Sequence, residues 1–323
     1  MKSASDHVSI ASIREAATGL DGVAERTPLL RAPALESAAG YAVYLKLENR
    51  QPTGAFKLRG AWTAVRRLPD SARRRGIITY SSGNHGQAVA YAARRLGLRA
   101  VVVMPETAPE IKVQGVQRWG ATVEFAGTTS EHRCTRAAEL IARDGLTVIP
   151  PFDHPDIIAG QGTVGLEIVE DLPDVRHIAV PVGGGGLIAG ITTAASALVP
   201  HARVTAVEPE GAPALRCALD AGEVVRLDET HSIADGLLPV AIGSLNFAIV
   251  RGHIDAVTVT DAAIAGATVW LHREMDITVE PSGAATTAAL RAGAFTPEGP
   301  AVLVVSGGNV DPAYVEQLAR EQL

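Results

Sequence analysis

The sequence predicts an α/β protein with two domains, each built on a mostly parallel β-sheet flanked by helices. Short β-branched runs alternate with Ala-rich segments of helical period through most of the 323 residues, and such alternation requires crossover connections between parallel strands. Several apolar runs, such as IITYSS and AVLVVSGG, stop at Ser or Gly, as buried parallel strands that end in functional loops do. We count roughly nine strand-like runs, which is many for a single sheet and therefore favours two domains.

The predicted elements follow one another without a flexible linker, so the boundary between the two domains must be tight. The strand-like runs are residues 42–48, 76–81, 99–104, 121–125, 146–150, 177–182, 204–208, 256–260 and 301–306. Helix-like segments between them include residues 57–68, 88–96, 131–142 and 262–274.

Composition and charge exclude several classes of protein. Hydrophobic residues make up 47% of the chain and charged residues 20%, which is typical of a globular protein. The net charge of -6, without a long basic run, argues against nucleic-acid binding, and every apolar stretch is interrupted well before membrane-spanning length. No apolar core of a signal peptide is present, so a cytoplasmic location is expected by elimination. Cys134 and Cys217 are too few for a disulfide framework, and we expect both to be packed core thiols.

The first candidate loop is TGAFKLRGA, residues 53–61, in which Lys57 follows a Gly turn at the start of a predicted helix through Leu68. The positive end of a helix dipole and burial both disfavour the ammonium form of a lysine. The neutral amine that they favour is the form that condenses with an aldehyde. The alternative is a solvated surface lysine, because most lysines are exposed.

The second candidate loop is SSGNHG, residues 81–86, which lies between the strand GIITY and the helical segment QAVAYAARRLG. A polar loop that leads from a strand into a helix N-terminus is suited to binding an anion, and here a carboxylate is the natural guest. The competing interpretation is a simple helix cap, since Ser and Asn are favoured capping residues.

The third candidate loop is the glycine quartet GGGG, residues 183–186, between the strand HIAVPV and the helical segment LIAGITTAASAL. Four residues without a Cβ allow the backbone to close around a phosphate with several N–H groups turned inward. Neither the dinucleotide-binding nor the Walker spacing of glycines is present, and a tight strand-to-helix turn would need fewer glycines.

The fourth candidate loop is SGGN, residues 306–309, which follows the strand AVLVV. Ligands of open α/β sheets bind beyond the carboxyl ends of the strands, although a simple turn would also explain this loop. Together the four loops supply a lysine, a carboxylate site, a phosphate site and a polar loop, which are the parts that a pyridoxal phosphate enzyme requires.

These loops resemble those of the fold-type II pyridoxal phosphate enzymes (tryptophan synthase β-like), the group that contains threonine and serine dehydratase, serine racemase and hydroxyaspartate dehydratase. The resemblance extends over PFDHPDIIAGQGTVGLEI (151–168), VEPEGAP (207–213), IADGL (233–237) and VEPSGA (279–284). It implies a large cofactor-binding domain formed by residues 1–52 and 151–323, and a small domain of residues 53–150 that includes the Lys57 segment near the interface. It also implies a homodimer.

The resemblance also implies which residues bind the cofactor. The lysine that matches Lys57 holds pyridoxal 5'-phosphate as a Schiff base, and Asn84 would hydrogen-bond the phenolic oxygen. Ser306 would face the pyridine nitrogen. The implied cofactor contacts are Phe56, Lys57, Asn84, Gly183, Gly184, Gly185, Gly186, Leu187, Gly236, Glu280 and Ser306.

The implied substrate is a small amino acid. Its carboxylate would lie among residues of the second loop, with an arginine nearby. These implied contacts are Ser81, Ser82, Asn84, His85 and Arg133.

A divalent cation is the cofactor that the resemblance leaves open. Racemases and hydroxyaspartate dehydratases of this group bind Mg²⁺ or a similar cation through a Glu, a backbone carbonyl and an Asp. Glu208 and Ala212 match the first two ligands, but Ala214 stands where the Asp is expected. Oxygen-rich cation sites need several ligands, so we expect this loss to weaken metal binding.

The activity that the resemblance implies is α,β-elimination from L-threonine, L-serine or a related β-hydroxy-amino acid, which gives a 2-oxo acid and ammonia. Lys57 and Ser82 are the catalytic candidates. A serine racemase is the first alternative, because a hydroxyl at Ser82 would face the substrate opposite Lys57. A β-replacement synthase and a catalytically silent ligand sensor are the further alternatives.

Overall fold

The computed structural model describes residues 8–81, 83–108 and 110–321. The strands are β1 (Leu29–Arg31), β2 (Val43–Leu47), β3 (Ile77–Thr79), β4 (Ala100–Met104), β5 (Thr122–Phe125), β6 (Thr147–Val148), β7 (His177–Pro181), β8 (Arg203–Pro209), β9 (Asp255–Val259) and β10 (Ala301–Val305). The α-helices are α1 (Ile10–Gly19), α2 (Pro33–Ala39), α3 (Lys57–Arg66), α4 (Asp70–Arg75), α5 (Asn84–Leu96), α6 (Glu110–Gln117), α7 (Ser130–Asp144), α8 (Pro155–Asp171), α9 (Gly186–Leu198), α10 (Ala214–Ala221), α11 (Ser244–Val250), α12 (Asp261–Met275), α13 (Pro281–Arg291) and α14 (Pro312–Glu321).

The strands form two sheets, as predicted. The larger sheet has the order β1-β2-β10-β7-β8-β9, and the smaller sheet has the order β5-β4-β3-β6. Neighbouring strands are parallel, except that β1 runs antiparallel to β2. All nine predicted strands are present, whereas β1 escaped prediction because its three residues lie at a sheet edge and lack the pattern of a buried strand. The helix that begins at Lys57 ends at Arg66, two residues earlier than predicted.

Each sheet draws on a separate part of the chain. The strands of the smaller sheet lie between residues 77 and 148, and those of the larger sheet come from residues 29–47 and 177–305. The domain boundaries at residues 52–53 and 150–151 remain predictions.

Helix α3, which carries Lys57, is packed tightly against α8 because glycines face each other there. A Cβ atom added to Gly160 would lie 2.6 Å from the Cα atom of Gly60. Helix α9 packs against α8 in the same way, because a Cβ atom on Gly190 of α9 would lie 2.4 Å from the backbone nitrogen of Gly162. Since any larger residue would force these helices apart, the glycines set the position of the Lys57 helix relative to the larger sheet.

A buried ion network centred on Arg59 fixes the same helix. The Arg59 guanidinium is 1% exposed and donates to the carboxylates of Glu48, at 2.8 Å, and Glu167, at 2.6 Å. The buried amine of Lys46 also lies 2.6 Å from Glu167, so two cations and two carboxylates meet. Burial alone would raise the pKa of Glu48, but the charge and hydrogen bonds of Arg59 outweigh it and hold that pKa below its usual value. The network ties the first turn of α3 to the end of β2 and to α8.

Candidate active site

Lys57 lies at the first position of α3, where the polar loop after Gly54 enters the helix. Its Nζ atom donates a hydrogen bond to the carbonyl oxygen of Pro151 at 2.7 Å and lies 5.2 Å from the centre of the Phe56 ring. Burial lowers the pKa of Lys57 to about 8. A substantial fraction of this amine is therefore neutral near physiological pH, as the sequence led us to expect.

The second predicted loop reaches the same region through α5. His85, which is 2% exposed, places Nε2 3.0 Å from the carbonyl oxygen of Ile149, two residues before the Lys57 partner Pro151. Burial first, and then the nearby charge of Lys57, lower the pKa of His85 to about 3, so the ring is neutral. Its Nδ1 atom is buried without a partner among the described residues. Ser81 precedes this helix, and Ser82 lies outside the described residues.

The glycine quartet lies beside Lys57 through Phe152. A Cβ atom on Gly184 would lie 2.1 Å from the Phe152 ring, and Gly185 adopts a φ of +91°, which favours glycine. Helix α9 begins at Gly186 without a side-chain cap in the described structure, so the N–H groups of its first turn face the loop. Leu187 belongs to this first turn and is buried.

Two side chains, those of Asn246 and Asp153, stabilise the glycine quartet by hydrogen bonds. Asn246 is fully buried, and its Nδ2 atom donates to the carbonyl oxygen of Gly184 at 2.7 Å. The Asp153 carboxylate accepts bonds from three backbone N–H groups at the start of α11, which contains Asn246. The carbonyl of Gly184 is thereby drawn to one side of the loop, which leaves its N–H side for an anion.

Gly236 and Glu280 complete the floor of the site. A Cβ atom on Gly183 would lie 3.0 Å from the Gly236 carbonyl oxygen, and the Gly236 N–H donates to the Ser282 hydroxyl at 2.9 Å. Glu280 is 6% exposed, and its Oε1 atom accepts a hydrogen bond from Asn84 Nδ2 at 2.6 Å. Burial first, and then the charge of Asp235, raise the pKa of Glu280 to about 8.

The fourth loop joins the Lys57 loop directly. Ser306 is buried, and its carbonyl oxygen accepts a hydrogen bond from the Phe56 N–H at 3.1 Å. Ala55 and Gly307 form a single antiparallel bridge, and the Gly308 N–H donates to the Gly54 carbonyl at 2.9 Å. Three of the four predicted loops thus meet at Lys57, and the quartet adjoins them through Phe152.

Arg133 lies on α7, where its Nε atom is 3.4 Å from the carbonyl oxygen of Tyr80. Tyr80 immediately precedes the second loop, so Arg133 lies close to its start. The guanidinium is half-buried, and this burial lowers its pKa from the ordinary value. The substrate role of Arg133 remains a prediction.

The predicted metal ligands do not fit a divalent cation. Both oxygens of the buried Glu208 carboxylate accept backbone hydrogen bonds, from Leu215 at 2.7 Å and Arg216 at 2.8 Å, so this side chain stabilises the start of α10. Burial outweighs these bonds and raises the pKa of Glu208 to about 7. Ala214 is buried and offers no side-chain oxygen, so the backbone carbonyl of Ala212 is the one other predicted ligand. No cluster of three or more His, Cys, Asp or Glu residues occurs in the described ranges.

Sequence reasoning assigned no role to several supporting residues, although three of them lie in segments that it singled out. The partners of Asn309, Asn246, Ser282 and Arg59 come from distant parts of the chain, so only the fold brings each pair together. The expectation that both cysteines are core thiols is wrong for Cys134, which is exposed on α7, and Cys217 is half-buried. Both are free thiols, and a polar helix face accounts for the exposure of Cys134.

Comparison with known proteins agrees with this geometry. The model of the pyridoxal-phosphate dependent enzyme family matches residues 20–307, and the chain belongs to that family. It is 38% identical over 299 residues to the L-threo-3-hydroxyaspartate ammonia-lyase of a Pseudomonas species, which covers 92% of this chain and 94% of that protein. It is 36% identical over 317 residues to the L-threonine ammonia-lyase of Thermotoga maritima, covering 98% and 79%. The structure of maize serine racemase matches with a TM-score of 0.93 at 35% identity, covering 98% of both chains.

The residues present fit pyridoxal phosphate. The quartet backbone and the uncapped start of α9 provide N–H groups for the phosphate, and Lys57 provides a partly neutral amine for the aldehyde. Asn84 has an amide that would hydrogen-bond the phenolic oxygen of the cofactor. Ser306, which is buried beside the Phe56 backbone, has a hydroxyl group that would face the pyridine nitrogen. In the part of the chain that the structure describes, no helix combines the length and apolar character needed to cross a bilayer.

Proposed function

We propose that this protein is an ammonia-lyase that eliminates the β-hydroxyl group of L-threonine, L-serine or a related β-hydroxy-amino acid, releasing a 2-oxo acid and ammonia. The observation that carries the proposal is the half-buried Lys57 amine, with its pKa lowered to about 8, beside the glycine quartet and the second loop. The relatives named ammonia-lyases match nearly the whole chain, which supports this choice within the family.

The chemistry divides between the cofactor and the chain. Bound pyridoxal phosphate supplies an electron sink that stabilises negative charge at the substrate α-carbon. Lys57 Nζ, in its neutral form, accepts the α-proton, and the Pro151 carbonyl holds this amine by a 2.7 Å hydrogen bond. The N-terminus of α5 and Ser81 bind the substrate carboxylate. The His85 ring is neutral, so it places no positive charge beside Lys57 that would further weaken this amine as a base.

Ser306 favours elimination over slower carbanion chemistry. Ser306 would face the pyridine nitrogen of bound pyridoxal phosphate, and its hydroxyl group would not hold a proton there as a carboxylate would, so the cofactor would be a weaker electron sink. Prompt loss of the β-hydroxyl group is the outcome that suits this environment.

A serine racemase is the second candidate, and the match to maize serine racemase over 98% of both chains favours it. Racemisation needs a proton donor on the face opposite Lys57, the role predicted for Ser82. The two activities differ in product, because elimination gives pyruvate from L-serine and racemisation gives D-serine.

The decisive experiment measures 2-oxo acid release from a panel of β-hydroxy-amino acids, with chiral chromatography of the L-serine reaction. We expect 2-oxo acid as the main product. D-serine as the main product, with little pyruvate, would replace the lyase by the racemase.

The covalent anchor is tested separately, and the sequence makes this test simple. The chain has four lysines: Lys2, Lys46, Lys57 and Lys112. Lys46 is fully buried in an ion pair with Glu167. Borohydride reduction followed by peptide mapping should label Lys57, and a label on any other lysine would contradict the assigned role. The cytoplasmic location and the homodimer are also proposals, which cell fractionation and light scattering would test.

A further inference from the structure

Asn309 sits behind Asn84 and makes two hydrogen bonds with one nitrogen atom. Its Nδ2 atom lies 2.8 Å from the Thr53 carbonyl oxygen and 2.7 Å from Asn84 Oδ1. A backbone carbonyl only accepts hydrogen bonds, so the end of the Asn309 amide that faces Thr53 must be the NH₂ group. The same NH₂ group then requires an acceptor from Asn84, which assigns the orientation of the Asn84 amide.

Glu280 does not fix this orientation by itself. With a pKa raised to about 8, its carboxyl group holds a proton near neutral pH and can donate as well as accept. Asn84 could therefore face Glu280 with either end of its amide. The anchor at Thr53, acting through Asn309, selects the arrangement in which Asn84 Nδ2 lies 2.6 Å from Glu280 Oε1.

We propose that Asn309 is a positioning residue that holds Asn84 as a hydrogen-bond donor toward the cofactor. One Nδ2 hydrogen of Asn84 goes to Glu280, and the second stays available for an anionic oxygen of pyridoxal phosphate. This inference rests on the proposed function and on the contact with the phenolic oxygen of the cofactor that the family resemblance implies for Asn84. It gives Asn309, the last residue of the fourth loop, a positioning role that the sequence alone does not indicate.

Two glycines leave space for this chain of amides. Gly54 has a φ of +73°, and a Cβ atom there would lie 2.3 Å from Asn309 Oδ1. A Cβ atom on Gly307 would lie 2.2 Å from Glu280 Oε1 and 3.1 Å from Asn84 Nδ2. Both backbones therefore pass close to the amides, which holds the Asn309 and Asn84 side chains in one arrangement.

The test is Asn309→Asp, a change of nearly equal shape that removes the donor. The new carboxylate accepts from Asn84, so the Asn84 amide must turn its oxygen toward Glu280 and the cofactor. We expect the apoprotein to bind pyridoxal phosphate about tenfold more weakly, because a hydrogen bond to a charged group is lost. The pH midpoint of the bound cofactor's visible band should also rise by about one unit, since a donor favours the anionic form of the chromophore.

Asn49→Asp is the matched control. Asn49 Nδ2 also donates to a backbone carbonyl, that of Thr278, at 2.9 Å, and this bond lies outside the chain of amides formed by Asn309 and Asn84. This variant should keep the dissociation constant of the cofactor within about twofold and leave the band midpoint unchanged. Thermal melts of each apoprotein show whether the variants are folded.

Two further measurements keep the test decisive if Asn309→Asp does not fold. Asn309→Ala frees the Asn84 amide without inverting it, so it should shift both readouts in the same direction by less. In the wild-type apoprotein, both Nδ2 hydrogens of Asn309 should be protected from exchange with D₂O. Wild-type affinity and midpoint in either variant, or rapid exchange of both hydrogens, would overturn the proposal. If the wild-type protein itself fails to bind the cofactor, the proposed function fails instead.

Discussion

Two buried clusters of ionisable groups lie on either side of the start of α3, and they are built in opposite ways. Around Arg59, the carboxylates of Glu48 and Glu167 face two cations at 2.6–2.8 Å, and the pKa of Glu48 is lowered. Around Lys57, the amine has a carbonyl as its hydrogen-bond acceptor and its pKa is lowered, while the pKa of Glu280 is raised.

The two clusters separate the buried charges that serve the fold from those that serve the chemistry. Groups whose charge is compensated stay ionised and hold helices together, but they have no proton to exchange near neutral pH. Groups that are buried without compensation change protonation near the working pH, as a general base must. Lys57 and Arg59 are two residues apart in one helical turn, yet they fall on opposite sides of this division.

The largest effect should come from Lys57. We expect Lys57→Met to reduce 2-oxo acid release by about 10⁴-fold, because both the covalent anchor and the base are lost. The apoprotein should unfold at the same urea concentration as the wild type or a higher one, since an uncompensated amine is replaced by an apolar side chain of similar length. Lys57→Arg, which introduces a permanent charge, should be equally inactive and less stable. Equal stability of the two variants would contradict the claim that this site is uncompensated.

Arg59→Met should have the next largest effect, on folding. Removing the cation leaves Glu48 and Glu167 buried with only Lys46, and breaking a buried ion pair in this way costs about 3–5 kcal/mol of unfolding free energy. Urea denaturation of the apoprotein measures this loss. A variant as stable as the wild type would show that the network does not hold α3 in place.

The sequence predicted the sheets and the four loops, but not the contrast between the two clusters. Apolar runs that end in Gly or Ser predicted the strands, and helix starts after polar loops predicted anion sites that remain predictions. Nothing in the segment KLRGA indicates that Arg59 is the centre of an ion network, because its partner Glu167 is more than a hundred positions away. Periodicity reports which face of an element is buried, and it does not report which distant side chain lies against that face.

Supporting amides were missed for the same reason. Asn309 was predicted as part of a polar loop, but its task depends on the approach of Thr53 and Asn84 from other elements. Cys134 shows the reverse failure, in which a residue type that is usually buried lies on an exposed helix face. Composition gives the average behaviour of a residue type, and the packing of this chain decides the particular case.

Glu280 should give a smaller effect that depends on pH. Its pKa is about 8 in the folded protein against an ordinary value of 4.5, so the folded state binds this proton more tightly than the unfolded state does. The resulting stabilisation is fully present below about pH 4.5, and it is lost as the pH rises to about 8. We expect about 3 kcal/mol of it to be lost between about pH 4.5 and pH 7, and Glu280→Gln should flatten the pH dependence of unfolding of the apoprotein over this range. An unchanged pH profile in the variant would contradict the raised pKa.

The smallest effect concerns Glu208, a buried carboxylate whose backbone hydrogen bonds compensate only partly for its burial, so that its pKa is raised to about 7. Since both of its oxygens are used at the start of α10 and Ala214 offers no second carboxylate, treatment with EDTA should leave the rate of 2-oxo acid release unchanged. Glu208→Gln retains one good acceptor and should cost about 1 kcal/mol of stability, measured by urea denaturation, with turnover preserved. Loss of activity in EDTA that Mg²⁺ restores would show instead that Glu208 leaves the helix to bind a metal. Glu208 would then belong to the groups that serve the chemistry.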